Sequence, residues 1–287
     1  MSTLVDAIVI GLFEAAPLIL AAVGFTLIFY LNRFINVAYG ENLTLGAYTA
    51  VFLNTTLGLN FYLTIVPAAL LTGLISVLTF LLVFGPAHRR GVGPTEMIVL
   101  SVGLAFLIRH ALRLGFGLEN RLFDIGRPAY LTILGVGITS VQLMALGLVV
   151  LIAIALYFFI FKTTYGQMIR GLASNEDLAQ VSGIHPTRVS VLIWFIAGFT
   201  GGLAGLFYGV FSFVGSELGW NLILIIIMIS IVGGIGNVRG ALAAGVGAGI
   251  IVAFVTLKTE PLYAQIILLL LFIAVLKGKK VLRTAAG

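Results

Sequence analysis

The chain has 287 residues, of which 61% are hydrophobic and only 9% charged. A water-soluble globule carries about 25% charged residues, so this chain lacks the polar surface to face water, and a formal net charge of +6 does not point to nucleic acid here. The bilayer is the solvent; with no Cys, and with His88, His110 and His185 scattered without metal-ligand spacing, metal chemistry is not expected either.

A helix needs roughly 20 residues to cross about 30 Å of hydrocarbon. Apolar runs, punctuated by Gly, Pro and charge, place candidate spans at 8–31, 42–57, 61–84, 96–116, 140–161, 189–214, 221–236, 241–257 and 262–276. The expected fold is therefore an all-α polytopic membrane protein of about 8–9 transmembrane helices. It is expected to form a single transmembrane domain over 1–287. The N-terminus lacks the basic start and cleavage site of a signal peptide, so the first span is expected to be retained. Pro17 in that span, and Gly233, Gly234 and Gly236 in the seventh, are expected to make half-helices or re-entrant elements lining a cavity.

Charge sets the orientation. If the loop of His88, Arg89 and Arg90 is cytoplasmic, alternation puts Arg33, Lys162, Arg170, Arg188, Arg239, Lys277, Lys279, Lys280 and Arg283 inside too. With Arg89 and Arg90 these are 11 of the 16 Lys and Arg, against Arg121, Arg127 and Lys258 outside. The N-terminus is then outside and the C-terminus cytoplasmic. Arg109, His110 and Arg113 fall late in the fourth span, where Arg is expected to snorkel to the headgroups. The 117–139 segment, with Glu119, Arg121, Asp124 and Arg127, is the longest external loop, and its charges are expected either to contact another protein or simply to be solvated.

Intramembrane acids and amides are costly and so mark a candidate pathway. Glu14 lies near Pro17; Asn36, Tyr39, Glu41 and Asn42 cluster at the start of the second span. In the sixth span Gly198 and Gly202, then Gly201, Gly205 and Gly209, recur four residues apart. Small residues at that spacing admit close helix approach, either within the chain or to a second subunit.

The longest polar stretch, Thr163 to Ser190, lies on the predicted cytoplasmic side. Ser174 or Asn175 can cap a helix, Ser174–Asp177 resembles a capping box, and Glu176 and Asp177 suit the positive end of the helix dipole. Gly183 ends the helix. Leu178 and Val181, with Ala179 nearby, form a narrow apolar ridge, which packs either on the protein's own helix ends or in a groove of a cytosolic partner.

At this point the sequence resembles a known family. Gly166-x-x-x-Arg170-x-x-Ala173-x-Asn175-x-x-x-Ala179-x-x-x-Gly183-Ile184 is similar to the coupling loop of permease subunits of branched-chain amino acid ABC importers (LivH-like). Phe34–Glu41 followed by Leu45-Gly46-Ala47-Tyr48 resembles the family's early motif, and Val232–Ala241 its late glycine-rich motif. Tyr39 stands where the family usually has His, and Lys277-Gly278-Lys279-Lys280 replaces the usual Arg-Pro-x-Gly.

The resemblance implies a prokaryotic plasma-membrane permease forming half of a translocation pathway. Its partners would be a second permease (homologous or identical), two cytosolic ATP-binding subunits and an extracytoplasmic solute-binding protein. Gly166, Arg170, Asn175, Glu176, Asp177, Leu178, Val181 and Gly183 would couple to the ATPase. No G-x-x-x-x-G-K-[ST] phosphate cradle is present, so ATP would be hydrolysed on other subunits; the chain itself is not expected to be an enzyme or to bind a cofactor. The alternatives are an ABC permease for urea, short amides or sugars, and an ion-gradient-driven secondary transporter. The latter would organise its membrane acids as a relay.

Overall fold

The computed structural model describes residues 2–126, 129–133, 135–234, 236–257, 259, 263, 266–275 and 277, without the side chains of 2–6 and 133. Arg127, Ile235, Lys258, Gly278, Lys279, Lys280 and Arg283, named above, lie outside the described residues.

The helices in order are α1 (Ser2–Asn32), α2 (Tyr39–Val51), α3 (Phe61–Thr79), α4 (Gly85–Arg89), α5 (Pro94–Phe116), α6 (Ser140–Lys162), α7 (Thr164–Ser174), α8 (Glu176–Val181), α9 (Pro186–Phe211), α10 (Leu218–Gly233) and α11 (Val238–Thr256). A last apolar helix, α12, covers Ile266–Val275. Among the described residues, six are long and apolar enough to cross a membrane: Ala7–Asn32, Phe61–Arg89, Pro94–Phe116, Ser140–Lys162, Pro186–Phe211 and Val238–Thr256. The chain is thus an all-α polytopic membrane protein. Each of the nine predicted spans falls on a helix in its described residues; α2 continues through a π-helical turn, Phe52–Thr56, and α10, with 16 residues, is shorter than a full crossing.

The helices run between two ends. Arg33 donates to the Ala173 carbonyl, and His88 pairs with Glu176 at 3.3 Å. These contacts gather Asn32, Arg89, α7, α8 and the start of α9 at one end, called here the basic end. At the opposite end the Asn54 side chain brackets the Asp124 backbone at 3.0 and 2.7 Å, and Arg121 bridges Val214 through the backbone.

α1 and α9 are the enclosed central pair, packed on α11, α2 and α3, whereas α5 and α6 keep most of their apolar surface outward. The expected break at Pro17 does not occur: α1 runs through it. Pro removes one ladder hydrogen bond, and the burial of Ala15–Ile28 among neighbouring helices offsets that loss. The glycines of the seventh span, in contrast, do end a helix. Gly234 and Gly236 adopt φ of +96° and +74°, turning the chain from α10 into α11.

The α9 glycine stripe is spent within the chain. A Cβ on Gly198 or Gly202 would strike Ser76 or Thr72 of α3, and one on Gly205 would overlap the Leu43 carbonyl of α2. The 117–139 segment is more ordered than a loop. Strands β1 (Tyr130–Ile133) and β2 (Val136–Thr139) form an antiparallel hairpin, turned at Gly135 with φ +89°. Its Ile138 packs on Val9 and Phe13 of α1. Thr139 then caps α6 in a capping box with Gln142.

Candidate functional site

The first candidate site is the polar start of α2. Residues 33–38 rise into the bundle as a non-helical strap, anchored by the Val37 N–H donating to Ser101 Oγ of α5 at 3.0 Å and by Phe34 stacked on Phe84. The strap delivers Asn36, Tyr39, Glu41 and Asn42, all buried. Tyr39 enters between α1 and α9, edge-on to Phe25. Its hydroxyl and that of Thr200 converge on Gly24, where any Cβ would overlap both.

Glu41 is only 1% exposed, and Arg109 of α5, 4% exposed, donates to its Oε1 at 3.2 Å. The same guanidinium reaches Glu217 Oε2 at 3.3 Å and lies 4.2 Å from the Trp220 ring centroid. Arg113 completes the cluster through Glu217 and through Ser216 Oγ at 3.0 Å. Two acids therefore face two bases at the junction of α2, α5 and the start of α10. At a rise of 1.5 Å per residue, Arg109 lies about 22 Å beyond Pro94 and about 10 Å short of Phe116.

Charges at that depth persist only when paired. The snorkelling expected of Arg109 and Arg113 is thus corrected: both turn inward, because two carboxylates there compensate their desolvation better than a distant headgroup. His110 faces outward and bonds the Phe106 carbonyl of its own helix through Nδ1 at 2.7 Å. Glu217 was not singled out from sequence. The available signal was charge parity, since two bases inside one apolar span require acids from elsewhere.

The same junction is drawn tight by backbone. Gly219 N–H donates to Thr44 Oγ1 at 3.0 Å, and a Cβ on Gly219 would overlap the Gly40 carbonyl. Glu14 does not join this cluster; it lies exposed on α1.

The second candidate site is the α7–α8 segment at the basic end. α7, which the sequence reading left unassigned, is capped by Thr163, whose side chain accepts from Gly166 N–H. Gly166 sits so close to the end of α6 that a Cβ would overlap the Ile160 carbonyl. Arg170 turns back to that end too, donating to the Ile160 carbonyl and lying over the Phe161 ring.

The residue capping α8 is Asn175, not Ser174, and its Oδ1 accepts from Leu178 N–H at 3.0 Å. A capping box ending at Asp177 therefore does not form: the third helical position is Leu178. Gly183, with φ +84°, closes the helix. Ala179 points inward, whereas Leu178 and Val181 stand 66% and 88% exposed. Glu176 leans to His88 and Asp177 is exposed.

Over 185 residues the chain is 24% identical to "Probable branched-chain amino acid transport permease protein LivH" of Methanocaldococcus jannaschii, and the match covers 63% of this chain and 58% of that protein. No solved structure matches the chain. Residues 7–276 match the family described as "Branched-chain amino acid transport system / permease component", and to that family this multi-pass membrane protein belongs.

Proposed function

We propose that this chain supplies half of the translocation path of an ATP-binding cassette importer for branched-chain amino acids, and that cytosolic ATPases drive it through α8. The observation that carries this reading is the ridge of Leu178 and Val181. Two large apolar side chains on a rigidly capped helix, displayed to water at the basic end, suit a groove on another protein. The positive-inside rule makes that end cytoplasmic. Gly166, Arg170, Asn175 and Gly183 then act as the frame that fixes the ridge, while Leu178, Val181, Glu176 and Asp177 meet the ATPase.

Asn36, Tyr39, Glu41 and Asn42 belong to the path's polar lining, closed in this conformation, and Glu14 flanks it. A zwitterionic solute needs few polar partners on an otherwise apolar route, and the family supports branched-chain amino acids as that solute. An ion-gradient mechanism is less well supported, because Glu41 and Glu217 are each held by Arg rather than arrayed as a relay.

The test is gentle purification from native membranes followed by leucine uptake in proteoliposomes. The reading expects ATPase subunits to co-purify and uptake to require ATP. Recovery of the chain alone, with uptake driven by an ion gradient, overturns it.

A further inference from the structure

Arg33 is the one described non-glycine residue in the left-handed region, with φ +55°. An L side chain there is uncommon and costs energy, and such outliers persist where the surroundings over-determine them. Gly or Asn would fill the position at lower cost. What Arg adds is reach: its guanidinium crosses to α7 and donates to the Ala173 carbonyl. That carbonyl is among the last four of α7, which a helix leaves without an internal partner, and a cation suits the negative end of the dipole.

We infer that Arg33 is the positioning residue that carries movement of the α7–α8 segment into the buried start of α2, an inference that rests on the coupling role proposed for α8. The chain of contacts is continuous. Displacement of the Leu178 and Val181 ridge shifts the end of α7; Arg33 transmits it to the strap of residues 33–38; and the strap leads into Tyr39 and Glu41 of α2, where Glu41 meets Arg109, which also holds Glu217. α9 receives the same movement through the chain itself, after Gly183. Arg33 is what brings α2 into step with it.

Two features suit this role better than simple bracing. Beside the Arg33 contact lies a cleft of about 390 Å³, lined by Asn32, Arg33, His88, Leu172 and Glu176 among others, so the segment has room to move. Across that cleft two polar ties, Arg33 to Ala173 and His88 to Glu176, hold the segment, while Ile169, Leu172 and Ala179 pack it on the core of the bundle.

The experiment compares Arg33→Gly, Arg33→Asn and the Leu178→Asp/Val181→Asp double variant in the purified complex. It reads ATPase retention, melting temperature, and ATP hydrolysed per leucine imported into proteoliposomes. Gly and Asn both accept the left-handed backbone but cannot reach Ala173. Both are expected to keep the ATPases bound and to melt at or above the wild-type temperature. Both should raise ATP consumed per leucine by about tenfold, within the roughly 5- to 150-fold span of site-to-site couplings.

A wild-type ratio in both variants overturns the inference. So does loss of the ATPases, which would make Arg33 part of the docking surface. If instead the double variant keeps both its ATPases and its uptake, the coupling role of α8 itself fails, whatever the Arg33 variants do.

Discussion

Two regions depart from the plain apolar helix, and they do so in opposite ways. The junction of α2, α5 and α10 buries Glu41 and Arg109 at membrane depth and joins residues 68 and 108 positions apart. The α7–α8 segment is assembled from neighbours, with Asn175 capping Leu178, Thr163 capping Gly166, and Gly183 ending the helix, and it leaves Leu178 and Val181 exposed. The first region pairs its charges across helices, Arg109 with Glu41 and Glu217, although Glu41 Oε2 and Arg109 Nε have no hydrogen-bond partner among the described residues. The second satisfies its backbone locally and leaves a surface over. A substitution in the first should therefore act on stability, beside any effect on the path that Glu41 is proposed to line, and one in the second on function alone.

The sharpest challenge to that division is Glu41→Ala. It strands Arg109 in the bundle, and removing one member of a buried pair costs about 3–5 kcal/mol. Thermal unfolding of the detergent-purified protein should register this, and the double variant Glu41→Gln/Arg109→Met should recover most of it. A single variant as stable as wild type would mean that the junction opens to water and does not hold the bundle.

Gly205→Val is next. Its side chain has to displace the Leu43 backbone, and overpacking of that kind costs about 1–3 kcal/mol. Gly103→Ala, on the open face of α5, provides the control and should leave the unfolding temperature at or above wild type. Equal losses at both positions would show that helix propensity, and not the approach of α2 to α9, sets the response.

The same contrast explains what the sequence made readable. Helix positions followed from hydropathy runs because each crossing is a local length requirement. Gly183 and Asn175 were readable as stop and cap because each signal acts within a few residues. The pairing of Arg109 with Glu41 and Glu217 was not, since nothing in a linear pattern says which span faces which. The run through Pro17 was misread for a related reason: the packing of α9 and α11 that offsets it is tertiary. The β-hairpin was missed because two four-residue strands turned at Gly135 are short beside the apolar runs. Arg33 looked like one more positive-inside residue until its backbone angle and its reach to α7 were seen together.

Within the second region, Asn175→Ala should cost about 1 kcal/mol, as loss of an N-cap does. The loss should stay local: amide exchange at Leu178–Val181 quickens while the global unfolding temperature holds. Faster exchange across α9 as well would show that α8 is welded to the bundle, which is at odds with a separable docking element.

The smallest expected effect on the fold belongs to Leu178→Asp/Val181→Asp. Both side chains are exposed, α8 already accepts Glu176 and Asp177 in its first turn, and surface changes of this kind stay within about 0.5 kcal/mol. Yet the same pair should abolish ATP-dependent uptake, because two carboxylates entering an apolar groove lose their hydration without gaining partners. Unfolding temperature and uptake measured on one preparation decide the matter. Intact folding with lost uptake separates a surface built for a partner from a junction built for stability, whereas joint loss of both would show that Leu178 and Val181 pack on this chain in the membrane. Unchanged uptake with an intact fold would remove α8 from the coupling path and leave its exposed ridge without a role.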